Sequence, residues 1–265
     1  MEANGQQVIV ELKDYALQSG YSALLQGVDL LLNAGESLGV VGPAGSGKSL
    51  LLKVISQSIW DKDLSGLENP TQTGKCQIFG EGFGQHRPAR SVLAALQRQI
   101  VLVSESSAWL PVSVAQNFEA VRIVSGLEEM PFEQFIETLT VSARNKAHLL
   151  SVSELLPSQV DQPLLQQCAI LRALLLKPRL LMLDEAFTRM DPVLLKNTEE
   201  VLFNQGENLT LILATNDLQQ ASRLTDSILF LLDGKVMERT ATTRFFTNPS
   251  TRQAESFVAG RDDSF

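Results

Sequence analysis

The stretch GVVGPAGSGKSLLLKVISQS, residues 39–58, decides how the chain is read. Its centre, Gly42–Ser49, has the spacing G-x-x-x-x-G-K-[ST]. ESLGVV at 36–41 is apolar and β-branched at its end and reads as a strand. The residues after the motif place Leu51, Leu52 and Ile55 on one face of a helix. Glycines at 42, 45 and 47 let the backbone curl so that successive N–H groups point inward at phosphate oxygens. The helix start adds its positive end. The expected cradle is Gly42, Pro43, Ala44, Gly45, Ser46, Gly47, Lys48, Ser49 and Leu50, with Lys48 reaching β and γ phosphates and the Ser49 hydroxyl on Mg²⁺. A glycine-rich turn with a chance lysine is the competing reading, and the strand before and helix after argue against it.

Working outward, LLMLDE at 180–185 is an apolar strand ending in two acids. Asp184 is expected near the metal, and Glu185 stands where a general base polarises an attacking water. Alone this is a strand reaching the surface; behind the glycine loop it completes a Mg²⁺-dependent P-loop NTPase.

The rest of the chain fits an α/β protein. It has 265 residues, 44% hydrophobic and 20% charged, enough for a large core. A net charge of −8 argues against non-specific nucleic-acid binding. Cys76 and Cys168 are far apart, with no CxxC and no implied disulfide framework or zinc site. They fit a reducing, cytoplasmic setting. MEANGQQVIVELKDY lacks a basic region followed by an apolar run, so no signal peptide is expected, and no apolar run is long enough to span a membrane. QVIVEL (7–12), a short strand from 76, IVLVS (100–104), LTLILAT (209–215), ILFLL and KVMER read as strands, with 61–75 as loop and 91–98 as helix. From about 113 to 158 the pattern is helical and polar, broken at Gly126 and Pro131, which places a helical insert at 112–160. LLQQCAILRALLL is a helix stopped at Lys177-Pro178, and Asp191-Pro192 starts another. Strands alternating with helices predict a mostly parallel sheet covered on both faces.

The order of these motifs resembles an ABC-transporter nucleotide-binding subunit over nearly the whole chain, most closely the ATPase subunits of phosphate importers. VGPAGSGKSLLLK, RQIVLVSESSAWLPVSVAQNF and LLLDGKVMERTATTRFFTNPSTRQAESFVAGR carry the likeness. The resemblance implies a single domain over 1–265: a P-loop core, an antiparallel β subdomain, a helical subdomain that docks on membrane-spanning permease subunits, and a C-terminal tail at 240–265. It also implies ATP and Mg²⁺ as ligands, a cytoplasmic, peripheral place on the inner face of the cell membrane, and work in pairs. Each ATP then touches one subunit's P-loop and the other's LSGGQ signature. Asp191 matches the family's dimer-contact aspartate and also reads as a helix N-cap.

Three motifs depart from the family pattern. Counting back from Asp184 puts LSGGQ at Val160, Asp161, Gln162, Pro163 and Leu164. Pro163 has no N–H and cannot adopt positive φ. Asp161 points a charge at a polyanion, costing roughly 3 kcal/mol per pair at about 5 Å and an effective dielectric of about 20, less with Mg²⁺ and solvent. A register shifted onto LPSQ (156–159) also lacks the glycine pair. The family's metal-linked glutamine falls on Glu105, which still offers a carboxylate to the metal. Its switch histidine falls on Asn216, which donates a hydrogen bond but carries no proton. His86 and His148 lie elsewhere and read as ordinary surface or packing residues. The adenine-stacking aromatic is not assigned: the register gives Ser19, beside Tyr15 and Tyr21.

Three functions follow as expectations. The chain is an ATP-binding importer subunit with weak hydrolysis. Alternatively it is a non-hydrolysing regulator or adaptor paired with a complete paralogue. An unrelated P-loop kinase is disfavoured by the missing substrate lid and the ABC-like tail. Homodimer and heterodimer both remain open, the latter leaving more activity because this P-loop would meet an intact signature.

Overall fold

A computed structural model describes residues 7–60, 66–67, 69–84, 86–139, 142–206 and 209–261. In chain order the elements are β1 (Val8–Ser19), β2 (Ser22–Asn33), β3 (Ser37–Val41), α1 (Lys48–Ile55), β4 (Pro70–Ile78), β5 (Glu81–Phe83), α2 (Arg90–Gln97), β6 (Ile100–Ser104), α3 (Val114–Val124), α4 (Phe132–Leu139), α5 (Ala143–Ser151), α6 (Gln162–Leu175), β7 (Leu180–Asp184), α7 (Pro192–Phe203), β8 (Thr210–Thr215), α8 (Leu218–Leu224), β9 (Ser227–Leu232), β10 (Lys235–Ala241), α9 (Thr242–Thr247) and α10 (Arg252–Val258). They fall into two compact units. The first holds the described residues of Met1–Leu102, Arg179–Asp184 and Glu207–Phe265, the second those of Val103–Pro178 and Glu185–Gly206.

The first unit is built on a six-stranded sheet of order β10-β9-β3-β8-β7-β6. The four strands β9, β3, β8 and β7 pair in parallel, and β10 returns antiparallel to β9. All six residues of β8 are buried. A strand covered on both faces must be apolar throughout, which explains runs such as LLMLD and LTLILAT. Leu180, Met182, Ile212 and Leu229 are fully buried with Leu51, Leu52 and Ile55 of α1. Each such side chain contributes about 1.5–3 kcal/mol by leaving water. The parallel arrangement lines up the C-terminal ends of β3, β7 and β8, followed by the glycine loop, Asp184 and Asn216.

A second, four-stranded antiparallel sheet has the order β2-β1-β4-β5. Here one expectation is corrected. Residues 70–75, read as loop within 61–75, form most of β4 and pair with β1 from Pro70↔Ser19 to Ile78↔Val10. Residues 61–65 and 68 of that stretch lie outside the described residues. Only Gln72, Cys76 and Ile78 of β4 are buried, and PTQTGK exposes Thr71, Thr73, Gly74 and Lys75 around a single buried and polar Gln72, so its sequence looks loop-like. Gly74 lies at the irregularity opposite Asp14, with φ +79°, and a Cβ there would sit 2.1 Å from the Asp14 carbonyl oxygen. Gln72 is held by the Tyr15 hydroxyl, which donates to Oε1 at 2.7 Å.

Beyond β10 the chain forms α9 and α10. Phe230 of β9 stacks on Phe257 at 5.0 Å between ring centres and lies 6.1 Å from Phe245. Glu238 accepts the backbone N–H groups of Ser250 and Thr251, satisfying the start of α10.

The second unit is helical. Ser113 caps α3 in a reciprocal box with Gln116. Phe118 meets Phe132 edge-on at 4.9 Å and Phe135 at 5.8 Å, joining α3 to α4. The insert expected at 112–160 lies within this unit, which also includes α6 and α7. α6 contributes the buried run Leu164–Leu171. The Arg172 guanidinium lies 4.0 Å from the centre of the Trp109 ring and donates to the Ala108 carbonyl at 2.8 Å.

Phe230→Ala is expected to lower the unfolding free energy by about 3–5 kcal/mol, because it removes a fully buried ring and leaves a cavity between β9 and the final helices. Urea titration of the purified variant against wild type measures this.

Candidate functional site

The loop between β3 and α1 has the backbone its sequence demands. Gly42 has φ +154°, and a Cβ there would lie 2.0 Å from the Leu231 carbonyl oxygen. Gly47, the residue capping α1, has φ +104° and is packed against Leu25 and Leu231. These are positions only glycine fills without strain. The Ser46 N–H donates to the Pro43 carbonyl at 3.2 Å, and the Ser46 carbonyl accepts from Gly234 N–H at 2.9 Å. The tight Asp233-Gly234 turn thus props the loop from behind. Gly45 faces open space. The Ser46 hydroxyl is buried with no hydrogen-bond partner. An orphaned buried hydroxyl in a curled glycine loop fits a site that a phosphate oxygen completes.

Lys48 folds back over this loop. Its ammonium donates to the carbonyls of Gly42 at 2.8 Å and Pro43 at 3.0 Å and to Asn216 Oδ1 at 2.7 Å. Lysine only donates, so the amide oxygen of Asn216 must face it, leaving the Asn216 amide NH₂ as the group available to an oxyanion. Asn216 reaches this place because β8 runs parallel beside β3.

Ser49 Oγ donates to Asp184 Oδ1 at 2.9 Å. Burial pushes the Asp184 carboxyl above the usual carboxylate range, while the Ser49 hydrogen bond, then Lys53 and Lys48, pull it back. Hydroxyl and carboxylate oxygens suit a hard divalent ion such as Mg²⁺. Among the described residues no cluster of three or more His, Cys, Asp or Glu forms a self-sufficient metal site. An ion held by Ser49 and Asp184 would take the rest of its shell from water and phosphate oxygens.

Lys48, Ser49, Asp184 and Asn216 are therefore brought together within the first unit. The other expected residues belong to the second and are described there. Glu185 has φ +50°, and its carbonyl accepts from the Thr188 hydroxyl at 2.7 Å. Asp191 caps α7, accepting from Val193 N–H at 2.8 Å and Leu194 N–H at 3.0 Å. Val160 closes a 3-10 turn, Asp161 stands at the N-cap of α6, and Gln162 and Pro163 open the helix. Asp161 is exposed and makes no capping bond, while Leu164 is buried. Pro163 is compatible with a first helical turn but offers no N–H to a ligand. Tyr15 is buried on Gln72, whereas Tyr21 is fully exposed at the β1–β2 turn.

Sequence reasoning missed the partner of Glu105. Its carboxylate lies 3.6 Å from the Arg189 guanidinium. Nothing in the spacing of TRMD at 188–191 pairs Arg189 with a residue more than eighty positions away.

Above its folded-state pKa Asp184 must ionise in a buried place, a penalty that disappears as the pH falls below the ordinary carboxylate value. Asp184→Asn is therefore expected to melt above wild type at neutral pH, without ligand, and the two melting curves to converge in acid. Thermal unfolding of both proteins across pH checks the sign.

The ABC transporter family profile matches residues 25–188, more than half of the chain. The chain is 28% identical over 260 residues to the phosphate import ATP-binding protein PstB 1 of Enterococcus faecalis, covering 96% of this chain and 98% of that one. It is also 28% identical over 262 residues to PstB 5 of Trichormus variabilis, covering 95% and 96%. Among solved structures, an ATP binding subunit of an ABC transporter superimposes with a TM-score of 0.73 at 21% identity, over 95% of this chain and 98% of that one. A bacterial Atm1-family ABC exporter with ATP bound gives 0.76 at 17% identity, over 98% of this chain and 43% of the exporter. With the glycine loop, the acid-terminated β7 and the two-sheet fold on one chain, these matches have one meaning: the chain belongs to the ABC transporter family.

Proposed function

We propose that the chain is the ATP-binding subunit of an ABC importer, phosphate-related by the names of its relatives, that energises transport by ATP binding and weak hydrolysis. The observation that carries this reading is the convergence of Lys48, Ser49, Asp184 and Asn216 on one glycine loop. In this reading the loop N–H groups from Gly42 to Leu50 hold the nucleotide phosphates, with Lys48 exchanging its carbonyl partners for β and γ oxygens. Ser49 and Asp184 hold Mg²⁺, joined by Glu105. Asn216 donates to the terminal phosphate, and Glu185 accepts a proton from the attacking water. Mg²⁺, when bound, supplies charge neutralisation of the phosphates.

The helical stretch 112–160 is the part proposed to meet a membrane-spanning permease. It carries a cavity of about 280 Å³ lined by Phe118, Phe132, Phe135 and Met130 beside Glu119 and Glu133. No helix among the described residues is long and apolar enough to cross a membrane, so attachment to the inner face of the cell membrane would come through that partner.

A second reading is favoured by one specific feature. Asp161, Gln162 and Pro163 occupy the start of α6, where the family's signature offers a hydroxyl and glycine N–H groups. A pair of identical chains would repeat this defect at both sites. Pairing through Asp191 with a complete paralogue would leave one site served by this P-loop and an intact signature. The chain would then be a nucleotide-binding regulator or adaptor rather than a full motor.

Lys48→Ala is expected to weaken ATP binding at least about tenfold, since it removes a charge-assisted contact to the phosphates; unchanged affinity in a fluorescent-nucleotide titration would sink the assignment. Restoring serine and glycines together (Asp161→Ser, Gln162→Gly, Pro163→Gly) with Glu105→Gln and Asn216→His is expected to raise Mg-ATP turnover of the purified chain. No rise would place the defect elsewhere.

A further inference from the structure

Between α5 and the start of α7, within the helical unit, lies a cavity of about 350 Å³ that the nucleotide reading does not use. Its two walls follow one spacing. Arg144, Asn145 and His148 stand at i, i+1 and i+4 on α5, and Val193, Leu194 and Asn197 at i, i+1 and i+4 on α7. Such triplets share one side of a helix, so each wall is a continuous strip. Asp191, the cap of α7, belongs to the second wall.

Three features of these walls call for a guest. Opposite charges line the same space without meeting: Arg144 and Asp191 both border the cavity, yet no ion pair among the described residues joins them. Asp191 caps α7 with Oδ1 alone, which accepts from both Val193 N–H and Leu194 N–H, so Oδ2 is not used by the cap. Asn145 is only 3% exposed, and its Oδ1 has no hydrogen-bond partner. Native structures rarely leave a buried amide oxygen without a donor. A cavity that stays empty is typically lined by apolar groups, whereas this lining is polar apart from Val193 and Leu194.

We infer that this cavity is a binding site for a small zwitterion of the free amino acid type, with its carboxylate on Arg144 and His148 and its ammonium between Asp191 and the Asn145 amide oxygen. Arg144 carries a fixed positive charge and a fork of donors that suits a carboxylate, and the His148 imidazole adds a further donor. An ammonium has three N–H donors and no acceptor, which matches the two acceptor oxygens, Asp191 Oδ2 and Asn145 Oδ1. A simple anion would meet Asp191 as a like charge, and a simple amine would meet Arg144 in the same way. Water can serve each group singly, but only a molecule with charges of both signs matches the pair across the gap. The Asn197 amide in the α7 wall offers a donor and an acceptor to a polar side chain such as a carboxamide. None of these residues belongs to the phosphate loop, so the site stands apart from the nucleotide reading.

The test is calorimetric titration of the whole purified chain with L-glutamine, and with acetate, ethylamine and inorganic phosphate as probes of a single charge sign. L-glutamine is expected to bind saturably, and each of the other probes at least about tenfold more weakly. Arg144→Ala, a change at an exposed side chain, is expected to weaken L-glutamine about fivefold or more and Arg144→Lys only about twofold, while both bind a fluorescent ATP analogue like wild type. Asp191→Asn keeps a good cap on α7 but removes the negative charge, and is expected to weaken L-glutamine about as much as Arg144→Ala. Absence of saturable L-glutamine binding overturns the site. So does an unchanged affinity in Arg144→Ala and Asp191→Asn, or binding of acetate or phosphate as tight as that of L-glutamine.

Discussion

The grip of Lys48 on its own loop is the contact on which the rest of the site depends. One ammonium holds the carbonyls of Gly42 and Pro43 and the Asn216 amide oxygen. It ties the end of β3 to the end of β8, the two strands that pair in register through Val41↔Thr215. A cation this buried, 6% exposed, is tolerated because the Gly42, Pro43 and Asn216 oxygens meet it. The same oxygens are weaker partners than phosphate, so in the proposed reading Lys48 would exchange them for a polyanion. The Gly234 turn behind Ser46 and the Leu231 carbonyl against Gly42 leave the loop no room to relax in other ways.

The site is uneven in how far it departs from the family. The elements proposed to hold phosphate, from Gly42 to Ser49 and at Asp184, keep the family's residue types. The changes fall on groups that would act on the terminal phosphate from elsewhere: Glu105, Asn216 and the start of α6. Asn216 makes a definite structural contribution by orienting toward Lys48. Asp161 makes none by side-chain capping, although its position at the N-cap would let it do so. In the proposed reading that combination would keep nucleotide affinity while reducing turnover, which is the physical reason to look for a complementary partner subunit.

Much of this was legible in the sequence because the decisive elements have strong local signals. The P-loop announces its own strand, turn and helix. The parallel strands β7, β8 and β9 are buried on both faces and so carry unbroken apolar runs. Asp191-Pro192 spells a helix start, and the structure shows the cap bonds. What stayed hidden lacked such signals. β4 has only three buried side chains and a glycine at a bulge, so its strand character lies in its pairing with β1 rather than in its composition. The Glu105–Arg189 pair and the prop from Gly234 to Ser46 join residues distant in sequence, and no periodicity encodes such meetings. Tyr15, a candidate for adenine by its neighbourhood, is committed to Gln72 within the antiparallel sheet, which its alternating burial in β1 is consistent with.

The most direct test of the account is equilibrium binding of Mg-ATP to the purified wild-type chain, with steady-state phosphate release measured on the same sample. The account predicts saturable binding with slow release that falls further in Glu185→Gln. Absence of saturable binding, with the chain folded, would contradict it.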